Sequence, residues 1–187
     1  MALEMKGECA LPVHQAELWR LLNDPEVLAK IIPGCNTVRL VGIDRYEMGL
    51  KLQVGSVSGE YMGSVEIFDK QEPLHYLLVV EGQGSIGFMK GSAAFDLEHQ
   101  GEGASLLRYA GSAEVGGVVA GVGQRVLSGV AKFLAGRFLK ALAKHIEESK
   151  GTAVIATAVR VEELQGEVVI AAVAEILSPL PEGPGKD

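Results

Sequence analysis

Aromatic residues make up only 5% of this 187-residue chain, and tryptophan occurs once. A core with so few large rings is filled by aliphatic side chains or keeps free volume. Long apolar runs are missing as well. The longest late ones, 152–159 and 168–174, fall well short of the ~20 residues needed to cross a bilayer and are bounded by charge, so no integral membrane segment is expected. Glu4, Lys6 and Glu8 stand where an export signal needs a continuous apolar stretch, which makes a cytoplasmic location the expectation.

Cysteine is scarce too. Cys9 and Cys35 show no CxxC or Cys/His spacing, so reduced thiols and no metal site are expected. Cations are outnumbered, 17 against 24 acids for a net charge of −7, which argues against a nucleic-acid partner. The four histidines, His14, His75, His99 and His145, are widely separated. No Ser/His/Asp, HExxH, paired-carboxylate or phosphate-loop pattern joins them, so no catalytic residue is nominated.

What is present is a hydrophobic content of 48%, enough for one core in one domain, and 24 glycines. Glycine at about 13% exceeds the usual ~7% without a collagen-like period, so close approaches and bends are expected. Residues 3–11 suit a short strand. Pro12 opens a helical stretch from Val13 to Leu22, anchored by Trp19; Asp24 caps a second helix with Pro25 in its first turn, and Pro33-Gly34 ends it. From Thr37 to Val115 the period changes to two, with turn signals at 42–44, 55–56, 69–73, 84–85 and 100–103 marking about six antiparallel strands. Tyr46, Met48, Leu50, Leu52 and Val54 share one buried face, and glycines in the strands call for a wrapped sheet.

After Gly116-Gly117 the period returns to 3.6, and a long helix is expected from about Val122 to Lys150. Leu127, Val130, Ala131, Leu134, Phe138, Ala141, Leu142 and His145 fall on one arc of it, the stripe of a helix lying on a sheet. Gly129 and Gly136 cost helix propensity, tolerable if they let the helix approach the sheet or bend round a cavity. The domain is therefore read as residues 1–150. Residues 151–187 form a C-terminal appendage, helical or β-forming, with disorder expected in part of it, from Pro179.

Strand, two short helices, six strands and a long helix describe the α+β helix-grip fold: a curved antiparallel sheet of about seven strands wrapped round a long C-terminal helix. Asn23 to Cys35, NDPEVLAKIIPGC, resembles the signature of the G-subunit family of carbon monoxide dehydrogenase. Gly82 to Leu97, GQGSIGFMKGSAAFDL, and Gly111 to Leu142, with GQRVLSGVAKFLAGRFLKAL, resemble it too, and the likeness covers roughly residues 3–148. The resemblance implies a member of the START-like, polyketide-cyclase-like superfamily, which binds apolar molecules between sheet and helix. It implies a non-catalytic accessory role: recruitment of a CO-dehydrogenase-type molybdenum hydroxylase to the membrane or to its electron acceptor. The bound cofactor would be a quinone or lipid, since the partner passes electrons to the membrane. A cyclase, dehydratase or hydrolase using His145, Tyr109 or Glu81, and an assembly factor without a ligand, remain alternatives.

The candidate ligand-binding residues are Leu50, Leu52, Tyr61, Val65, Leu78, Phe88, Met89, Phe95, Tyr109, Val130, Leu134 and Phe138. Cys35 sits in a loop at one mouth, either space-filling or reactive, and Phe88 and Met89 shape an entrance or a plain hairpin. Between Val115 and Ile146 the chain has five cations, Arg125, Lys132, Arg137, Lys140 and Lys144, and no acid, which leaves −12 for the rest. This stripe reads either as a solvated helix face or as a contact for a protein partner or, peripherally, for anionic lipid at the inner face of the membrane. Val126, Phe133 and Leu139 are expected to interrupt it with exposed apolar groups, as in an interfacial helix.

Overall fold

The structure is a computed structural model that describes residues 1–150 and the backbone of 160–162. The first strand, β1 (Ala2–Leu11), leads into α1 (Gln15–Leu22) and α2 (Pro25–Ile31). The helical stretch expected from Val13 starts two residues later. The backbone oxygen of Val13 instead accepts a 2.6 Å hydrogen bond from the fully buried Ser105 hydroxyl, which ties the end of β1 to the sheet. At α2 the Asp24 carboxylate accepts from the Glu26 N–H at 2.9 Å and Pro25 occupies the first turn, a cap legible in the sequence.

Six strands follow in a meander: β2 (Cys35–Gly42), β3 (Arg45–Leu52), β4 (Gly59–Gln71), β5 (His75–Gly84), β6 (Gly87–His99) and β7 (Ser105–Gly116). Each pairs antiparallel with the next, and β7 pairs with β1, so the chain's first strand closes the far side. A three-residue strand, β8 (Arg160–Glu162), adds to β1 and makes the order β2-β3-β4-β5-β6-β7-β1-β8. The expectations for the rest of the appendage lie outside the described residues.

The long helix, α3, spans Gln124–Lys150. It begins after the expected Val122 because Val118–Val122 form a 3-10 turn and Gly123 adopts φ 92°, a left-handed conformation that cannot continue an α-helix. The backbone of α3 comes nearest to β1 and α2 and stands off the central strands. This is the helix-grip architecture that the sequence pattern predicts.

Buried residues form two clusters. The larger joins Leu11, Leu18, Trp19, Ile31 and Tyr76 with Leu97, Leu107, Leu139, Leu142 and Ile146. The smaller, at the other end of the helix, joins Val57, Val115, Val119 and Leu127. Leu139 belongs to the first cluster with 1% exposure, which corrects the expectation that it interrupts the basic face. Its position on the wheel lies beside Leu142 and Ile146, and the helix buries a wider arc near its C-terminal end.

Candidate functional site

Strand pairing places two rows of inner-face residues between the clusters. One row reads Leu78, Ala93, Gly111 and Met5 across β5, β6, β7 and β1; the next reads Val80, Gly91, Ala113 and Leu3. The central residues of the rows, Gly91, Ala93, Gly111 and Ala113, are too small to reach a helix that stands off the sheet, and the rows line an apolar hollow of about 170 Å³ together with Tyr109 and Met89. The hollow is lined by sheet residues and is not fully enclosed, and its volume is that of one benzene-sized molecule. The floor comes from a tripeptide that occurs twice: Gly91-Ser92-Ala93 and Gly111-Ser112-Ala113 pair in antiparallel register, so each glycine faces an alanine.

At Tyr109 this hollow abuts a row of aromatic rings in the larger cluster. Trp19 meets Tyr76 edge-on at 5.3 Å between centroids, Tyr76 stacks on Phe95 at 5.2 Å and 3°, and Phe95 lies 6.2 Å from Tyr109. The last three are neighbours on β5, β6 and β7. Tyr109 is 9% exposed, and its hydroxyl is shut from solvent without a hydrogen-bond partner. Burial pushes the Tyr109 pKa above its ordinary value, with the nearby Cys9 adding to the rise, so the phenol remains a donor. Burial likewise raises the Cys9 thiol, which keeps it from acting as a nucleophile.

The residues nominated from sequence divide between this hollow and its surroundings. Leu78, Met89 and Tyr109 line it. Phe95, Leu78 and Phe138 pack against the larger cluster, and Tyr61 and Val130 against the smaller. The Tyr61 hydroxyl donates to the Val57 carbonyl at 3.1 Å, so that polar group is already occupied. Leu50, Leu52, Val65 and Leu134 are half-buried; the three on strands share the inner face. Phe88 is corrected: strand alternation turns it to the face opposite Met89, with its ring over Gly116, although the two are similarly exposed at 40% and 38%. Leu3, Met5, Val80, Gly91, Ala93, Gly111 and Ala113 were not nominated, although the repeated Gly-Ser-Ala is a visible signal for them.

A larger hollow of about 620 Å³ lies on the outer face, where Glu47, Glu81 and Lys90 accompany Met62 and Phe88. Glu81, a sequence candidate for cavity acid or base, belongs there and pairs with Lys90 at 3.1 Å, so it cannot act inside the grip. His145 on α3 is half-buried, and Tyr109 has no titratable partner within hydrogen-bond reach. Cys35 is half-buried; its thiol pKa is raised by burial and partly offset by the Thr37 backbone. Among the described residues no group of three or more His, Cys, Asp or Glu could hold a metal ion.

The outer face of α3 presents Arg125, Arg137, Lys140 and Lys144, with Lys132 half-buried at its margin. Val126 and Phe133 are 46% and 49% exposed among them, as expected, and the Arg137 guanidinium lies over the Phe133 ring at 5.7 Å. Lys144 reaches Glu148 at 3.7 Å. Gly129 and Gly136 share this face, and a Cβ on either would meet nothing within 4 Å, so they do not serve close approach to the sheet. Among the described residues no helix is long and apolar enough to cross a membrane.

Residues 7–147 match the family model for the G subunit of carbon monoxide dehydrogenase, CoxG. The chain belongs to this family. A conserved protein from Geobacillus kaustophilus is 39% identical, with a TM-score of 0.76 over 79% of this chain and 97% of that one. Two more distant structures share the CoxG chain's fold. A START superfamily protein from Mycobacterium smegmatis is 14% identical with a TM-score of 0.63, over 78% of this chain and 99% of that one. The Zhui aromatase/cyclase from Streptomyces sp. R1128 is 12% identical with a TM-score of 0.61, over 82% and 100%. No curated protein matches the chain.

Proposed function

We propose that this CoxG-family protein is a non-catalytic accessory protein that holds an apolar, quinone-like or lipid-like ligand between sheet and helix. Through the outer face of α3 it recruits a CO-dehydrogenase-type molybdenum hydroxylase to the membrane or to its electron acceptor. The observation that carries the ligand is the divided core: two clusters separated by a floor of Gly91, Ala93, Gly111 and Ala113. Gly91 and Gly111 are fixed by the close approach of the two strands, but Ala93 and Ala113 face the gap and the sequence leaves both small. Burial of apolar ligand surface, at about 25 cal/mol per Å², supplies the affinity. A hollow of about 170 Å³ takes one ring or a short chain, so the rest of a longer ligand lies outside it. The family membership supports the hydroxylase as partner, and the cations with Val126 and Phe133 support a charged surface contact.

Catalysis finds less support, because Tyr109 stands alone in the cavity and Glu81 lies outside. The test is extraction of protein purified gently from its native host, followed by mass spectrometry of the released small molecules. Ala113→Leu, which fills the floor, serves as the control. A stoichiometric apolar molecule absent from the filled variant is the expected result. An empty wild-type protein that still captures a molybdenum hydroxylase would remove the cavity from the function and favour assembly.

A further inference from the structure

Charge is segregated along this chain in two reciprocal blocks. From Val115 to Ile146 there are five cations and no acid; from Val161 to Gly185 there are five acids, Glu162, Glu163, Glu167, Glu175 and Glu182, and no cation. The acidic block also holds the apolar run 168–174, set between Glu167 and Glu175. On α3 the counterpart is a surface: Val126 and Phe133 are exposed beside Arg125, Arg137 and Lys140, three cations that make no ion pair among the described residues. A segment that covers this face needs apolar contacts for two side chains and acids for three.

The path of the chain brings the two blocks together. α3 ends at Lys150, whose ammonium donates to the Pro12 carbonyl just past the end of β1. β8 then runs antiparallel to β1, from Arg160 opposite Glu8 to Glu162 opposite Lys6. It heads for the start of β1, where Leu3 packs in the cluster of Leu127, in the first turn of α3. Residue 163 therefore sets out beside α3, back toward its N-terminus. From Lys140 to Arg125 the face is about 23 Å long at 1.5 Å per residue, and the 23 residues from 163 to 185 span it even at helical rise.

We propose that residues 163–185 dock on the outer face of α3 of the same molecule, their acids against Arg125, Arg137 and Lys140 and their apolar run over Val126 and Phe133. Exposed ion pairs are weak singly, but a tethered segment meets its site at an effective concentration near millimolar, so several weak contacts suffice. The consequence for recruitment rests on the reading above: the face given there to the hydroxylase or the membrane is held by the chain's own tail, which a partner displaces. Docking itself does not depend on that reading.

Carbodiimide, which joins a lysine amine directly to a carboxylate in contact with it, tests the docking on the full-length wild-type protein. Lys144 and Glu148, 3.7 Å apart, provide an internal control. The expected products, read by peptide mass spectrometry, join Glu163, Glu167 or Glu175 to Lys140 or Lys144 within one molecule. Absence of these links where the Lys144–Glu148 link forms would overturn the proposal. Links between heavy and light peptides, in a mixture of isotopically heavy and ordinary protein, would overturn it too, because they place a second copy's tail on the helix. Co-sedimentation with vesicles of phosphatidylglycerol and phosphatidylcholine in equal parts reads the consequence. Glu163→Gln, Glu167→Gln and Glu175→Gln together should strengthen it about fivefold, the effect of losing three exposed ion pairs. The comparison is Glu47→Gln, Glu72→Gln and Glu102→Gln together, which removes the same charge from exposed positions elsewhere. Equal strengthening by both variants would overturn the masking of the face. No sedimentation of any variant, with the intramolecular links present, would uphold the docking and remove the membrane from the proposed function.

Discussion

Gly111 faces Ala93 across the β6–β7 ladder so closely that a Cβ on Gly111 would lie 2.8 Å from that of Ala93 and 2.7 Å from the Ser92 carbonyl oxygen. The same holds one pair along, where a Cβ on Gly91 would meet that of Ala113 at 2.9 Å. The two glycines let the strands coil tightly under the helix, and the two alanines keep the floor low. Gly111→Ala must move backbone, since the Ser92 oxygen cannot step aside. It should cost about 1–3 kcal/mol, the range of overpacked cores, read as a lower urea midpoint. An unchanged or higher midpoint would show that the ladder relaxes freely.

The helix glycines predict the opposite sign. Gly129 and Gly136 lie on the open side of α3, where an added methyl meets nothing, so each costs helix propensity without a packing return. Gly129→Ala and Gly136→Ala should each stabilise by about 1 kcal/mol and raise the melting temperature by about 2–4 °C. Thermal unfolding followed by circular dichroism decides it. A loss of stability would mean that α3 needs its bend.

Buried tyrosines set the alkaline limit. The pKa values of Tyr76 and Tyr109 are raised by burial above the ordinary 10.0, so the folded protein holds their protons where the unfolded chain releases them. Their contribution is complete below pH 10 and is lost as pH rises through the folded values. Stability should fall steeply above about pH 10, and phenolate absorbance near 295 nm should appear with unfolding instead of ahead of it. Full ionisation of all four tyrosines in a still-folded protein would contradict this.

The charged face of α3 carries the surface prediction. Replacing Arg125, Arg137, Lys140 and Lys144 by glutamine should leave the melting temperature within a few degrees, since all four are exposed. It should abolish co-sedimentation with anionic vesicles, to which each cation near the surface contributes about 1 kcal/mol. Unchanged sedimentation would assign the face to solvent or to a protein partner.

Much of the fold was legible because its signals are local. Asp24 and Pro25 mark a helix start, and the change of period at Gly116-Gly117 marks the passage from sheet to helix. Alternation in β3 puts Tyr46 and Met48 inside with no reference to any other strand. The site was less legible. Phe88 and Met89 are adjacent and both apolar, and sequence does not say which of two neighbours turns inward when a strand runs between two glycine-rich turns. Leu139 looked like part of the basic face because a helical wheel carries no information on how wide an arc the neighbours α1, α2 and β1 cover.

The order of elements, the inward face of the strands and the charge of the long helix are properties of residues a few positions apart, and they can be read along the chain. Other features arise only on folding: Gly91-Ser92-Ala93 lies antiparallel to Gly111-Ser112-Ala113, the core divides above them, and Tyr109 has no partner. A cavity and an unmet hydroxyl are defined by what fails to come near. That depends on strand register and helix stand-off between segments far apart in the chain.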